Sequence, residues 1–178
     1  MKAIELDRLD PMANEIRQLT ANYKTCKLQR GIIYLAGSID GQKYSKIMRV
    51  RNKAKKLLER CSFKVLCPMR GRENLRKTPI MTRYNIEKVS NVYKNWGFID
   101  RDLMDLKNSD CLLILTGDTP TDGTYLEYGY ALWKLDIPIV MIAPTRIGGH
   151  GWSNRYASYI AKDLEDAVHF IDNFLFYE

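Results

Sequence analysis

Apolar positions along the chain fall into two kinds of pattern. Short, mostly apolar runs, bounded by turn residues, predict strands at Gly31-Ile32-Ile33-Tyr34-Leu35-Ala36, Phe63-Lys64-Val65-Leu66-Cys67, Cys111-Leu112-Leu113-Ile114-Leu115 and Ile137-Pro138-Ile139-Val140-Met141-Ile142. A shorter strand is predicted near Tyr159-Ile160. Between these runs, apolar residues recur every three or four positions, the spacing of one helix face. Ile47, Val50, Ala54, Leu57, Leu58 and Cys61 mark one such face, with basic residues expected opposite. Phe98 to Leu106 predicts a helix with Ile99, Leu103 and Leu106 inward, ended by Asn108-Ser109-Asp110. Asp122 to Leu132 opens another, and Leu164, Val168, Ile171 and Leu175 line the last.

Strands alternating with helices predict an α/β domain: a flavodoxin- or Rossmann-like three-layer sandwich around a parallel sheet of about five strands. This domain is expected over residues 31–178, preceded by an N-terminal helical extension, residues 1–30. In the extension, Asp10-Pro11 has the chemistry of a helix start, and Met12, Ile16, Leu19 and Tyr23 follow at helical spacing. The connection after Pro68 is long and mixed, with Val89, Val92 and Trp96 hinting at helix near its end.

Composition narrows the class. The 178 residues suit one domain, with 46% hydrophobic and 28% charged residues, as in a soluble globular protein. No apolar run approaches the roughly 20 residues of a membrane-crossing helix. The start, Met1-Lys2-Ala3-Ile4-Glu5, lacks a signal-peptide core, so the cytoplasm is the expected compartment and no membrane partner is expected. Cys26, Cys61, Cys67 and Cys111 show no metal or redox spacing and read as reduced core thiols. With only His150 and His169, a histidine metal site is not expected, and no cofactor is implied.

The net charge of +7 is unevenly spread. Lys43, Lys46, Arg49, Arg51, Lys53, Lys55, Lys56 and Arg60 crowd one predicted helix, and Arg70, Arg72, Arg76, Lys77 and Arg83 form a second basic region. Such a field favours anionic partners, and it equally describes a solvated helix face.

In an open parallel sheet, ligands sit beyond the carboxyl ends of the strands. The loops at 37–43, 116–124 and 143–155 are therefore the site candidates. The most informative stretch is Asp122-Gly123-Thr124-Tyr125-Leu126-Glu127-Tyr128-Gly129-Tyr130-Ala131-Leu132. It follows a buried strand and opens a helix, which brings backbone N–H groups and a positive dipole end to the sheet edge. Glu127 lies one turn in, and Gly129 beside it leaves room for close approach.

Three blocks in order give the chain a family likeness. Ile33-Tyr34-Leu35-Ala36-Gly37-Ser38-Ile39 is similar to an opening strand with its Gly-Ser loop. Asp102-Leu103, followed by Asn108-Ser109-Asp110 and an apolar strand, is similar to a middle Asp motif. Gly123-Thr124-Tyr125-Leu126-Glu127-Tyr128-Gly129-Tyr130-Ala131 resembles the signature G-T-x-x-E-x-G-Y-A. Over roughly residues 31–175 the chain resembles the nucleoside 2-deoxyribosyltransferase family and its relatives that hydrolyse deoxynucleoside 5′-monophosphates at the N-glycosidic bond.

The resemblance implies Glu127 as nucleophile on the anomeric carbon, displacing the base and forming a covalent glycosyl-enzyme. An incoming base would then give a transferase and water a hydrolase. It implies that Tyr34 orients Glu127, and that Asp102 binds the sugar or protonates the leaving base. It places Gly37, Ser38, Ile39, Asp122, Gly123, Thr124, Ser153, Asn154 and Arg155 at the substrate, and it implies a homo-oligomer. Asp40 in the first loop disfavours a phosphate there, whereas Arg70, Arg72, Arg146 and Arg155 offer guanidinium forks for one. A nucleoside and a nucleoside 5′-monophosphate both stay open as the substrate. Gly123-Thr124-Tyr125-Leu126-Glu127 also resembles the end of the motif of cytokinin-activating phosphoribohydrolases, without its paired glycines. NAD glycohydrolysis and a non-catalytic nucleotide sensor or nucleic-acid binder are the remaining readings. Steep weakening with salt would mark polyanion binding.

Overall fold

The computed structural model describes residues 29–82, 97–115, 122–142 and 155–177. Strand β1 is Gly31–Ala36 and leads through a loop to helix α1, Tyr44–Arg60. Strand β2, Phe63–Leu66, is followed by a 3₁₀ turn at Glu73–Lys77. Helix α2 spans Gly97–Lys107 and strand β3 Cys111–Leu115. Helix α3, Asp122–Tyr130, continues as a π turn at Ala131–Leu135 before strand β4, Ile139–Ile142. Strand β5, Tyr159–Ala161, precedes helix α4, Leu164–Phe170, which also ends in a π turn, Ile171–Leu175.

The strands form one fully parallel sheet in the order β2-β1-β3-β4-β5. This is the flavodoxin-like order, in which the chain changes direction between β1 and β3. Crevices for ligands open at that switch point. Tyr34 marks the register: it lies opposite Leu66 on one side and Leu112 on the other.

Side chains alternate across β1, so each face of the sheet has its own core. Ile33 and Leu35 pack with Ala54 and Leu58 of α1 and with Leu164, Ala167 and Val168 of α4. Tyr34 and Ala36 point the other way, toward Leu106 of α2 and Tyr128 and Ala131 of the α3 segment. A third cluster, Tyr44, Ile47, Met69, Leu75 and Met81, fastens the loop after β2 to the start of α1. Each large apolar side chain fully buried in these clusters contributes on the order of 1.5–3 kcal/mol by transfer from water.

Local chemistry sets several boundaries. Asp163 caps α4 by accepting from the Asp166 backbone N–H at 2.8 Å, with Glu165 and Asp166 in the first turn complementing the dipole. Asp110 joins the end of α2 to β1: its carboxylate accepts from the Ile32 N–H at 2.8 Å, and its own N–H donates to Ile32 O at 2.8 Å. Arg30 ties the entry of β1 to the C-terminal segment through the Asp172 carboxylate and the Phe176 carbonyl, while lying over the Phe63 ring.

Two expected helix faces need correction. On α1, Ile47, Ala54 and Leu58 are buried as the period requires, but Val50 is 42% exposed and Arg51 only 3%. The buried stripe thus includes a basic residue, and the basic residues are not confined to the opposite face. On α2, Leu106 is buried, whereas Ile99 and Leu103 are exposed and Asp105 is buried. The helix is rotated because carboxylates at 102 and 105 find guanidinium partners on the inner side. Strand β4 begins at Ile139, two residues later than expected, since Pro138 has no N–H to give to the ladder. Cys61, Cys67 and Cys111 are free thiols, and burial pushes Cys111 up to about 12, which makes it unreactive. No helix among the described residues is long and apolar enough to cross a membrane. The expected helix in the extension, the Val89-Val92-Trp96 segment and Cys26 lie outside the described residues.

Candidate active site

The site forms where the exits of β1 and β3 come closest. Gly37, immediately after β1, has φ of +138°, and a Cβ there would stand 2.4 Å from the Leu115 carbonyl oxygen. Only glycine fits both the backbone conformation and the contact. The loop that follows is held from the far side: Gly41 N–H donates to Met81 O at 2.7 Å, and Met81 N–H to Gln42 O at 2.8 Å.

Tyr34 and Glu127 meet on the α3 face of the sheet. Tyr34 is fully buried, and its hydroxyl donates to Glu127 Oε1 at 2.6 Å. Strand alternation directs Tyr34 toward α3, and one and a half turns of helix from Asp122 bring Glu127 over it. Thr124, one turn earlier on the same helix, is also buried. Burial pushes the Glu127 carboxyl up to about 7. The Tyr34 hydrogen bond, Arg51 and Arg72 oppose that rise, and the Asp102 charge adds to it. Burial first, then the neighbouring Glu127 and Asp102 charges, push the Tyr34 phenol far up, so it stays a donor. A carboxylate near its midpoint at neutral pH and a fixed phenolic donor suit acid–base or nucleophilic work.

Asp102 sits in a different setting. Arg72 donates to its Oδ2 at 2.9 Å, and Arg101 donates to its Oδ1 from Nη2 at 2.8 Å. Arg101 also donates to the Pro68 carbonyl at 2.7 Å and the Arg70 carbonyl at 2.9 Å, which fixes the loop after β2 against α2. Arg72 lies 5.0 Å from the Phe98 ring centre. Alongside, Arg70 Nη2 donates to both carboxylate oxygens of Asp105, at 2.9 and 3.1 Å. Burial raises the Asp102 carboxyl above its ordinary value, and the two guanidiniums oppose part of that rise.

The sequence-predicted residues divide clearly. Tyr34, Gly37, Glu127 and Asp102 share one electrostatic neighbourhood at the sheet edge. Ser38 and Ile39 follow Gly37 in the loop and are partly buried. Asp122 and Gly123 open α3 and are exposed. Arg155 is exposed, and Ser153 and Asn154 lie outside the described residues. The space beside Gly129 is taken by the Trp133 ring, 3.2 Å from where a Cβ would stand. Arg70 and Arg72, read in the sequence as forks for phosphate, hold Asp105 and Asp102. Arg51 was assigned to the solvent face by sequence pattern. Its guanidinium instead donates to Leu35 O and Gly37 O, both at 2.8 Å. The available signal was its spacing: positions 47, 51, 54 and 58 form one helical stripe. Among the described residues no group of His, Cys, Asp and Glu is arranged to hold a metal ion.

No protein-family model matches the chain, and no curated protein matches it significantly in sequence. Among solved structures it is similar to a 2-deoxyribosyltransferase from the psychrotolerant bacterium Bacillus psychrosaccharolyticus, with 21% identity over 80% of this chain and 91% of that one and a TM-score of 0.53. At that identity the likeness establishes a shared fold. A CMP N-glycosidase, BcmB, from Clostridium botulinum is a more distant neighbour, 13% identical over 79% of this chain and 97% of that one, and its TM-score of 0.45 is too low to carry an argument.

Proposed function

We propose that the protein cleaves the N-glycosidic bond of a nucleoside or nucleoside 5′-monophosphate through a glycosyl-Glu127 intermediate. The observation that carries this reading is the Tyr34–Glu127 hydrogen bond, partly buried at the β1/β3 switch point. The fold shared with a 2-deoxyribosyltransferase and the signature-like stretch at 123–131 support it.

The ionised Glu127 attacks the anomeric carbon with the oxygen not held by Tyr34. The carbon–nitrogen bond breaks and its electron pair leaves with the base. The transition state is oxocarbenium-like, and a fixed anion beneath it lowers its energy. Tyr34 fixes the carboxylate rotamer, so little orientation is lost at the moment of attack. A second base, or water, then takes the sugar from Glu127. Asp102, held between two guanidiniums, acts as an anionic acceptor for a sugar hydroxyl. Its two cationic neighbours disfavour the alternative role of proton donor to the base. Self-association completes the proposal: Leu126 and Trp133 are exposed on the α3 segment, and light scattering at micromolar concentration should find more than a monomer.

The test is direct. The protein is incubated with deoxynucleosides, ribonucleosides and their 5′-monophosphates, with and without an acceptor base, and free base and new nucleosides are separated by chromatography. Base release is expected for at least one substrate and should disappear in Glu127→Gln. Base release that Glu127→Gln leaves unchanged would overturn the reading.

A further inference from the structure

Arg51 is a buried cation that the glycosidase reading does not use. It rises from α1, on the opposite side of the sheet from Glu127, and reaches the carboxyl end of β1. There it donates to the carbonyls of Leu35 and Gly37, the two residues that flank Ala36. Its other described contact is a long one to Cys67 Sγ, 3.8 Å. Among the described residues no carboxylate lies within ion-pair distance of it. Burying a guanidinium on backbone carbonyls is costly for folding, and an apolar side chain at the second position of the 47–58 stripe would avoid that cost.

We propose that Arg51 is a positioning residue of the site: it locks the turn at Gly37 and places a fixed positive charge beneath the Tyr34–Glu127 pair. The proposal rests on the glycosidase reading for its catalytic consequence. The lock is needed because Gly37, with no side chain to restrict its backbone, must hold a φ of +138° close against the Leu115 carbonyl. The fork satisfies one carbonyl before that turn and the carbonyl of the turn residue itself, so the Ser38 loop leaves the sheet in one direction.

The charge acts together with the groups facing Glu127 from the other elements. These are Tyr34 on β1, Arg72 before the 3₁₀ turn and Asp102 on α2. Tyr34 is neutral, and Arg72 is committed to Asp102 at 2.9 Å. Arg51 is then the cation whose field reaches the pair without a carboxylate partner among the described residues. It draws both the Tyr34 and the Glu127 groups toward their ionised forms, against burial.

Two substitutions separate the two roles. Arg51→Gln removes the charge and keeps an amide donor. Arg51→Lys keeps the charge and loses the fork. Glutamate labelled with ¹³C at the side-chain carboxyl, with the Glu127 signal identified by its loss in Glu127→Gln, gives the titration of Glu127 without substrate. The Glu127 midpoint should rise by about one pH unit in Arg51→Gln, since one opposing charge is lost, and should stay in place in Arg51→Lys. In Arg51→Lys, kcat/KM for base release should fall about tenfold with its acid limb unmoved, from misplacement of the loop. A folded Arg51→Gln protein in which Glu127 titrates as in the unmodified chain would overturn the electrostatic role. Full kcat/KM in Arg51→Lys would overturn the positioning role. Should Arg51→Gln fail to fold, Arg51→Lys decides alone: reduced kcat/KM with an unmoved midpoint supports the proposal, and any other result contradicts it. If the unmodified protein releases no base from any substrate, the glycosidase reading fails, while the titration still decides what the Arg51 charge does.

Discussion

Glu127 and Asp102 are both partly buried carboxylates near the same sheet edge, yet their surroundings differ in kind. Glu127 is held by a neutral phenol at 2.6 Å, and Asp102 by two guanidiniums at 2.8 and 2.9 Å. Burial lifts both. For Glu127 the opposing cations act from a distance, and the group comes to rest at about 7. For Asp102 they are in contact and oppose the desolvation directly, though burial remains the larger effect. The lesson is that burial alone does not assign a role. A reactive carboxylate needs a partner that orients without neutralising, and a binding carboxylate can be pinned by opposite charge.

The largest effect that would break this comparison lies at Glu127. Glu127→Gln should reduce the rate of base release by roughly a thousandfold or more, because the attacking anion is gone while the shape remains. Circular dichroism should show the same fold. Next, Tyr34→Phe should lower kcat by about 10- to 100-fold through loss of a charge-assisted hydrogen bond in the transition state. The Tyr34 bond opposes the rise of the Glu127 pKa, so the acid limb of the pH–rate profile should also move to higher pH. In the unmodified enzyme that limb should lie near pH 7, with activity lost as pH falls and Glu127 takes up its proton.

Asp102→Asn sharpens the contrast from the other side. It should raise KM by about tenfold with a smaller change in kcat, the mark of a lost binding contact. The Asp102 charge pushes Glu127 upward, so its removal should shift the acid limb slightly to lower pH. A proton-donor role would instead remove the alkaline limb.

A separate effect, without substrate, is on stability. A carboxyl whose folded pKa of about 7 exceeds its unfolded value of 4.5 favours the fold below the lower value and loses that contribution as pH rises through the higher one. Glu127→Gln should therefore be more stable than the unmodified chain at pH 8, by up to about 3 kcal/mol, and equally stable below pH 4.5. Thermal unfolding at the two pH values checks this.

Much of the fold was legible in the sequence, because buried parallel strands are short unbroken apolar runs and need no partner to be recognised. The β1 and β3 runs match the strands residue for residue, and the last helix kept its stripe at Leu164, Val168 and Ile171. Periodicity failed where charge was buried. A helical stripe is read by counting apolar residues, so Arg51 passed as solvent-facing and Val50 as core. Ile99 and Leu103 passed as inward for the converse reason: Asp102 and Asp105 claim the inner face through arginines some 30 residues away in the chain. In the site, Tyr34, Asp102 and Glu127 could be named from motif order. Their pairing could not, because the 93-residue separation of Tyr34 and Glu127 closes only when β1 and β3 lie side by side.

The central claim is a sugar bonded to Glu127, and peptide mass spectrometry of the trapped intermediate tests it most directly. The protein is mixed with a turned-over nucleoside or monophosphate in the absence of acceptor base, quenched in acid within the first turnovers, and digested. The account predicts a mass gain of one sugar residue, confined to the peptide containing Glu127 and missing from Glu127→Gln. Rapid base release with no adduct on any peptide, or an adduct on a different side chain, would contradict it.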